Sequence, residues 1–558
     1  MQAEKLREQR EEAKRNRVRR RVRRVENSGQ LPLYEVGTKA EEKIEKEERS
    51  LPKGVKEVRQ YQNPSPEGIL VSGEDLGSYL EGRGEGKIVS FREFLFSLDL
   101  EGFECEKART GRRPYHPAAM MGLILLGTLE GKSSLRELEQ LAKVDVRAWW
   151  LTGGIQPDHA SIGRFIQLHS DRLSVDFFVE LTREVLKLTG SRGGDLSGDG
   201  TVMEAACSAY KAVKVEAAEQ AAREAGEAAR KAPEDRKLAQ RKEHAQKVAE
   251  AARQRKEARR RAWAKGEVGV SPSDPEAMIQ PLKKGGKAPS YKPVVLSNKD
   301  QIIVSQGVDP SCEHRLLKDL LEQATESSGK IEKLRLDSSF FNFEVVETVK
   351  EQTGDEEEEI DLYCPEGRTT PEGVAKAKET KLYHKSQFEY NVDGDYYQCP
   401  AGHHLVPATT GSNKGKKYTA YGKAPCQECP HRSQCTTSKK GRFVKRFEKE
   451  ALKDALRAKM KLPSSQKEYK KRSLMEIIFA RLRVHQGLQR FKRRGLQGVQ
   501  VEFALAAAAY NVARMWALRP DLAAFRALLQ AIIALFEGLM ASIRPQPLSA
   551  VPFRWTNP

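Results

Sequence analysis

The chain has 558 residues, more than one hydrophobic core usually supports, so two or three domains are expected. Lys and Arg number 97 against 78 Asp and Glu, a formal charge of +19 with a pI near 9.4, which favours a polyanionic partner over a membrane surface. No run of 18 apolar residues occurs and no apolar signal segment follows Met1, which argues against a secreted or membrane-spanning protein. Eight cysteines in so long a chain are too few for a disulfide framework, and four of them cluster, which points to metal instead.

Residues 1–89 read as a basic, poorly ordered arm and linker. Residues 1–24 hold 11 basic and 4 acidic side chains, a net +7 suited to phosphate backbones, and Pro64 and Pro66 punctuate the linker. Residues 90–190 read as short helices. Pro117 suits the first position of a helix, and Ser134 with Glu137 forms a capping box ahead of another. Trp149 and Trp150 read as core, and His159 as a hydrogen-bonding residue at a helix start. Residues 193–208 hold the first predicted strand and its turn, although only Leu196 is clearly apolar before the GDGT of residues 198–201. Asp195 is a second carboxylate in that strand.

Residues 211–265 carry 17 basic and 9 acidic side chains, a net +8, and Pro233 breaks the run into two long helices. The pattern predicts a charged hairpin inserted between strands, either a solvated arm or a second surface for DNA or a partner. Residues 291–304 give two strands around a turn in which Asp300 is a turn former. A helix over 312–329 and a strand over 331–336 ending at Asp337 follow. Residues 354–360 form an acidic loop. Then come Cys399, Cys426, Cys429 and Cys435, spaced x26, x2 and x5. One Cys-x2-Cys knuckle with two outlying thiols suits a structural tetrahedral zinc site, with His403, His404 and His431 as substitute ligands. Cys105, Cys207, Cys312 and Cys364 are scattered and read as ordinary thiols. The apolar run 522–543, interrupted by Arg526, Gln530 and Glu537, reads as a packing or dimerisation helix.

The most informative stretch is 469–483, YKKRSLMEIIFARLR. Arg472 and Glu476 are four apart and Glu476 and Arg483 seven apart, so a helix shows all three on one face. Taken alone, that is an ordinary surface Arg–Glu pair. The series Tyr469, Arg472, Glu476, Arg483 resembles the Tyr-x2-Arg-x3-Glu-x6-Lys signature of bacterial insertion-sequence DDE transposases, with Arg483 in place of Lys. The following FKRRGLQGVQVEFALAAAAYNVARM resembles the family's usual ending. GDGT and the LDSSFFNFE of residues 336–344 resemble the stretches that carry its two aspartates. The YHP of residues 115–117 and the PDHASIGRF of residues 157–165 resemble its helical N-terminal domain.

The resemblance implies an α/β, RNase H-like catalytic domain with a mixed sheet flanked by helices, at residues 191–517. It would carry a charged helical insertion at 210–290 and a small zinc-ribbon-like, cysteine-rich insertion at 355–450. A helical DNA-binding domain would span 90–190 and a helical tail 518–558. The strand–strand–helix–strand order fits that sheet. The implied activity is binding of terminal inverted repeats, followed by metal-dependent cleavage and strand transfer into target DNA by a homodimer in the bacterial cytoplasm. Asp199, Asp337 and Glu476, separated by 138 and 139 residues, would form one carboxylate cage. Such a cage suits two Mg²⁺ or Mn²⁺ ions, Asp199 bridging both. Water would attack first, and the freed 3′-hydroxyl would then attack target DNA. Tyr469, Arg472 and Arg483 would hold phosphates. Two other classes compete: a catalytically inactive DNA-binding protein, and a charged coiled-coil interaction protein built on residues 210–265. The second leaves GDGT, LDSS and the Glu476 stripe unexplained.

Overall fold

The structure is a computed structural model. It describes Gln62 and residues 65–520, except 99, 101–102, 104–113, 262–268, 354–358, 368–381, 384 and 414–415. Residues 1–61 of the predicted arm and linker, Cys105, most of the acidic loop and the apolar run 522–543 lie outside the described residues, whereas residues 65–89, expected as poorly ordered linker, are folded, with Leu76, Leu80, Ile88 and Val89 buried because their apolar side chains pack into a helical core. The chain divides into two compact units, one running to Arg172 and resuming at Trp516, the other Leu173–Met515.

The first unit is helical. Its described helices are α1 (Leu76–Gly82), α2 (Gly86–Ser97), α3 (Pro117–Leu129), α4 (Leu135–Val144), α5 (Val146–Thr152) and α6 (His159–Leu168). Helix α3 has Pro at its first turn, is apolar all round, and is buried from Pro117 to Thr128. Helix α4 begins with the predicted capping box: Glu137 N–H donates to Ser134 Oγ at 3.4 Å, and Ser134 N–H to Glu137 Oε2 at 3.0 Å. Trp150 is buried, and Trp149 Nε1 donates to the Ala142 carbonyl at 3.1 Å. His159 opens α6 with its ring 2.6 Å from Glu139, a hydrogen-bonding role.

The second unit is built on a seven-stranded sheet: β1 (Asp195–Gly200), β2 (Met203–Glu204), β3 (Met278–Pro281), β4 (Lys287–Asn298), β5 (Ile303–Asp309), β6 (Lys333–Arg335) and β7 (Asp361–Tyr363). Its central order is β5–β4–β1–β6–β7. Strand β4 runs antiparallel to β5 and β1, and β1, β6 and β7 are mutually parallel. The N-terminal end of β4 also pairs with β2 and β3. Strand β1 is central and flanked on both sides, so it holds although Leu196 is almost its only large apolar residue. Helices α7 (Asp176–Thr189), α10 (Leu317–Ser328), α14 (Leu474–Val484) and α15 (Leu496–Leu518) pack against this sheet, joined to it by bonds such as Ser327 Oγ to the Val304 carbonyl, 2.6 Å, and Ser297 Oγ to Met475 Sδ, 3.0 Å.

Between β2 and β3 stand the long helices α8 (Val215–Lys231) and α9 (Arg236–Arg261), broken at Pro233 as expected. They pack through Val215, Ala218, Val248, Ala249 and Ala252, and Arg253–Glu219 (2.5 Å) and Lys256–Glu216 (3.0 Å) pair across them. Arg255 pins the hairpin's base, donating to the carbonyls of Pro275 (2.5 Å) and Ala277 (3.0 Å). After α11 (Phe343–Thr353) and β7, an antiparallel meander of β8 (Glu389–Asn391), β9 (Tyr396–Gln398), β10 (His404–Asn413), β11 (Lys416–Gly422) and β12 (Val444–Phe447) carries the clustered cysteines. Helices α12 (Glu450–Lys461) and α13 (Pro463–Lys470) lead back to α14. No helix among the described residues is long and apolar enough to cross a membrane.

Candidate active site

Strand register aligns the two aspartates. Parallel β1 and β6 pair Asp195 with Lys333, Leu196 with Leu334 and Ser197 with Arg335, a constant offset of 138. Asp199 lies two residues past Ser197 and Asp337 two residues past Arg335, the last residue of β6, so the two aspartates are also 138 apart, and one Arg472 nitrogen lies close to both. Asp199 lies near the carboxyl end of β1 and Asp337 two residues past the carboxyl end of β6, the region where open α/β sheets form their binding crevices. The chain turns away after Asp337 through a short 3₁₀ helix, Ser338–Phe340.

The glycines of GDGT are set by close approach. A Cβ on Gly198 would lie 2.6 Å from both Leu296 and Leu336, and one on Gly200 would lie 2.7 Å from the Glu313 carboxyl carbon. A side chain at either position would have to displace Leu296 and Leu336 or Glu313, so close packing favours glycine on both sides of Asp199.

The 469–483 stretch crosses this edge. Arg472 Nη2 lies 2.9 Å from Asp199 Oδ1 and 3.4 Å from Asp337 Oδ1, and its Nε donates to the Gly198 carbonyl at 3.3 Å. Arg483 donates to Thr201 Oγ1, just beyond GDGT. The Tyr469 ring lies 6.0 Å from the Arg472 guanidinium. A 3₁₀ turn at Lys471–Ser473 joins α13 to α14. Glu476 sits on the first turn of α14, exposed, with no hydrogen bond or ion pair among the described residues. Asp199, Asp337, Tyr469, Arg472 and Arg483 thus converge, and Glu476 stands a turn beyond Arg472. Among the described residues, no three His, Cys, Asp or Glu side chains are grouped closely enough to hold an ion.

Burial pushes the Asp199 carboxyl up, opposed by the Arg472 guanidinium and reinforced by Asp337 and Glu313. Burial likewise raises the Tyr469 hydroxyl and lowers Arg483, which Asp199 partly offsets. The site is therefore a half-buried cluster in which cations compensate two converging carboxylates.

Three participants escaped the sequence reading. Glu313 packs against Gly200, pairs with Lys292 at 3.2 Å and accepts from Ser339 Oγ at 3.0 Å. Arg335, two residues before Asp337, is buried and bonds both Asp195 and Glu468, so Asp195 is engaged away from Asp199. The Cys364 thiol donates to the Asp337 carbonyl at 3.2 Å, and burial pushes its pKa up to about 12. Arg335 left one trace in sequence, an arginine between the apolar Leu334 and Leu336. Glu313 left none, because only folding carries it to β1.

The four clustered cysteines line one cavity of about 20 Å³ together with His403 and His431. Cys435 is buried and its thiol is pushed up by desolvation. The Arg442 N–H donates to Cys426 Sγ at 3.5 Å, and its guanidinium to the Cys435 carbonyl at 3.2 Å.

The fold and site define an α/β protein with carboxylates and cations gathered at the ends of parallel strands. Comparison with known families then narrows the class: residues 398–516 match the family model described as Transposase DDE domain, and residues 87–168 match one described as Transposase domain (DUF772). Both matches support a transposase function. The first spans the four cysteines, Tyr469, Arg472, Glu476 and Arg483, whereas Asp199 and Asp337 lie outside it. No curated protein and no solved structure matches the chain.

Proposed function

We propose that this chain is an insertion-sequence DDE transposase whose second unit is an RNase H-like catalytic domain. In this reading it binds terminal inverted repeats, cleaves DNA and transfers the freed strand to target DNA, acting as a homodimer. The observation that carries it is the convergence of Asp199 and Asp337, just past the paired residues of parallel β1 and β6, on one Arg472 nitrogen. The strand order β5–β4–β1–β6–β7, with β4 the antiparallel member beside β1, fits an RNase H-like sheet.

Asp199 and Asp337 offer hard oxygen donors side by side, and Glu476 is solvent-exposed on the segment that crosses them, a donor set that fits Mg²⁺ or Mn²⁺. Two such ions, when bound, neutralise phosphate charge and lower the pKa of a water or hydroxyl nucleophile. The protein's own residues would position the DNA. Arg472 and Arg483 hold phosphate oxygens near the scissile bond, and Tyr469 lines the same face. Arg483 offers a planar fork where a lysine would offer a point charge. The basic surplus supplies sequence-independent backbone affinity. Cys399, Cys426, Cys429 and Cys435 would hold one structural Zn²⁺ in a zinc-ribbon-like insertion, drawn together by the metal, since all four line one small cavity and thiolates are donors zinc prefers.

The test is cleavage of DNA carrying the element's flanking inverted repeats. Asp199→Asn, Asp337→Asn and Glu476→Gln should each abolish Mg²⁺-dependent nicking and leave repeat binding intact. A variant that still nicks removes its residue from the cage. Wild-type protein that binds the repeats and never nicks them is a DNA-binding protein and no transposase.

A further inference from the structure

Arg335 is the last residue of β6, two before Asp337, and its side chain is only 3 % exposed. Its Nη1 donates to the Asp195 carboxylate and, at 3.4 Å, to the Leu196 carbonyl. Nη2 donates to the Glu468 carboxylate, and Nε to the Glu468 main-chain carbonyl at 3.0 Å. One guanidinium thus binds three elements at once: β1, β6 and the end of α13.

The position of these bonds matters. Asp195, Ser197 and Asp199 share one face of β1, Arg335 pairs with Ser197, and Asp337 follows Arg335 by two residues in extended backbone just past β6. The Arg335 cluster therefore sits on the face of β1 that carries Asp199, about 6.6 Å back along the strand. Glu468, Arg472 and Glu476 recur every four residues along the α13–α14 segment. Fixing Glu468 by both its side chain and its backbone sets the height and the rotation of the segment just before the 3₁₀ turn that delivers Arg472 to Asp199 and Asp337. Lys471 reinforces the grip, bonding the Glu468 carboxylate at 2.8 Å.

We propose that Arg335 is a positioning residue: it clamps the segment bearing Tyr469, Arg472 and Glu476 to the two strands bearing Asp199 and Asp337. A buried ion cluster serving stability alone needs only charge balance. This one uses the full planar fork, including a bond to a main-chain carbonyl that carries no net charge. Lysine keeps the charge and cannot reproduce that geometry. The role in catalysis rests on the transposase reading; the clamp itself does not.

The experiment compares wild type with Arg335→Lys and Glu468→Gln in the full chain. Amide hydrogen exchange is read over peptides covering 463–484 and, as an internal control, 117–168. Both variants should lose protection in the first set and keep it in the second. In repeat-DNA nicking, the half-saturating Mg²⁺ concentration should rise about tenfold, as when a group supporting metal ligands is removed, with DNA affinity unchanged. A merely structural role would lower the melting midpoint and leave the Mg²⁺ dependence where it was. If Arg335→Lys does not fold, Glu468→Gln, which keeps shape and loses charge, decides the matter alone. A folded variant with unchanged protection over 463–484 overturns the clamp. Unchanged Mg²⁺ dependence despite lost protection overturns its positioning role. Wild type that never nicks DNA refutes the transposase reading, and the exchange result still decides the clamp.

Discussion

Asn511→Leu keeps nearly the same volume and removes every hydrogen bond the side chain makes. Asn511 is fully buried on α15. Its Oδ1 accepts from the Ile303 N–H at 2.9 Å, and its Nδ2 donates to the Ile303 carbonyl at 2.8 Å and to Thr182 Oγ1 at 3.0 Å. One amide therefore ties α15 to the first residue of β5 and to α7. Ile303 is itself fully buried, so water cannot replace the lost partner. Leaving a buried polar group without its bond costs about 1–3 kcal/mol, and two backbone groups are affected. Leucine recovers about 1 kcal/mol through its more apolar surface. The net loss is about 3 kcal/mol. At roughly 2 °C per kcal/mol, the lower end for large domains, the second unit's melting midpoint should fall by about 6 °C. Differential scanning calorimetry of the full chain, with hydrogen exchange at Ile303 to assign the transition, measures it. A midpoint within about 1 °C of wild type, a shift worth less than one ordinary hydrogen bond, would show that the amide does not hold β5 to α15.

Three further outcomes are expected. DNA affinity should fall steeply with salt, log K linear in log[salt], because the chain's surplus Lys and Arg displace counterions; a flat dependence would assign the charge to another partner. Purified protein should contain about one zinc per chain, and Cys429→Ser should lose it and open the 399–435 segment to protease while the first unit stays intact; zinc-free protein with an equally resistant segment would refute the site. The Glu468 carboxyl is held down from 4.5 to about 2, chiefly by Lys471 and then by Arg335. A depressed carboxyl stabilises the fold fully above its unfolded value and loses that contribution as pH falls through its folded value. Acid titration followed by near-ultraviolet circular dichroism should therefore show this contribution disappearing between about pH 4.5 and about pH 2, with a smaller loss in Glu468→Gln; identical acid profiles would show that the ion cluster is not formed.

Local chemistry made much of this protein legible in its sequence. Pro117, the Ser134–Glu137 capping box, the break at Pro233 and the turn around Asp300 act within a few residues, and each lies in the structure where its chemistry requires. The Cys-x2-Cys knuckle was visible for the same reason, its spacing being short; the single helix expected over 469–483 is instead broken by the 3₁₀ turn Lys471–Ser473, so Arg472 stands on the turn while Glu476 and Arg483 lie on α14. Strand β1 was nearly invisible, because its stability comes from neighbours on both sides rather than from its own side chains.

What only the tertiary structure decided is long-range. The placement of Asp199 near Asp337 follows from two strands in register, and no residue in either strand announces it. The contact of Glu313 with Gly200, the choice of Arg335 as partner for Asp195, and the reach of Arg472 to both aspartates depend on distances across more than 100 residues of chain. The physical reason is that helix caps and turns draw their energy from neighbours in sequence, whereas buried charges are satisfied only by whatever partners the packed sheet brings to them.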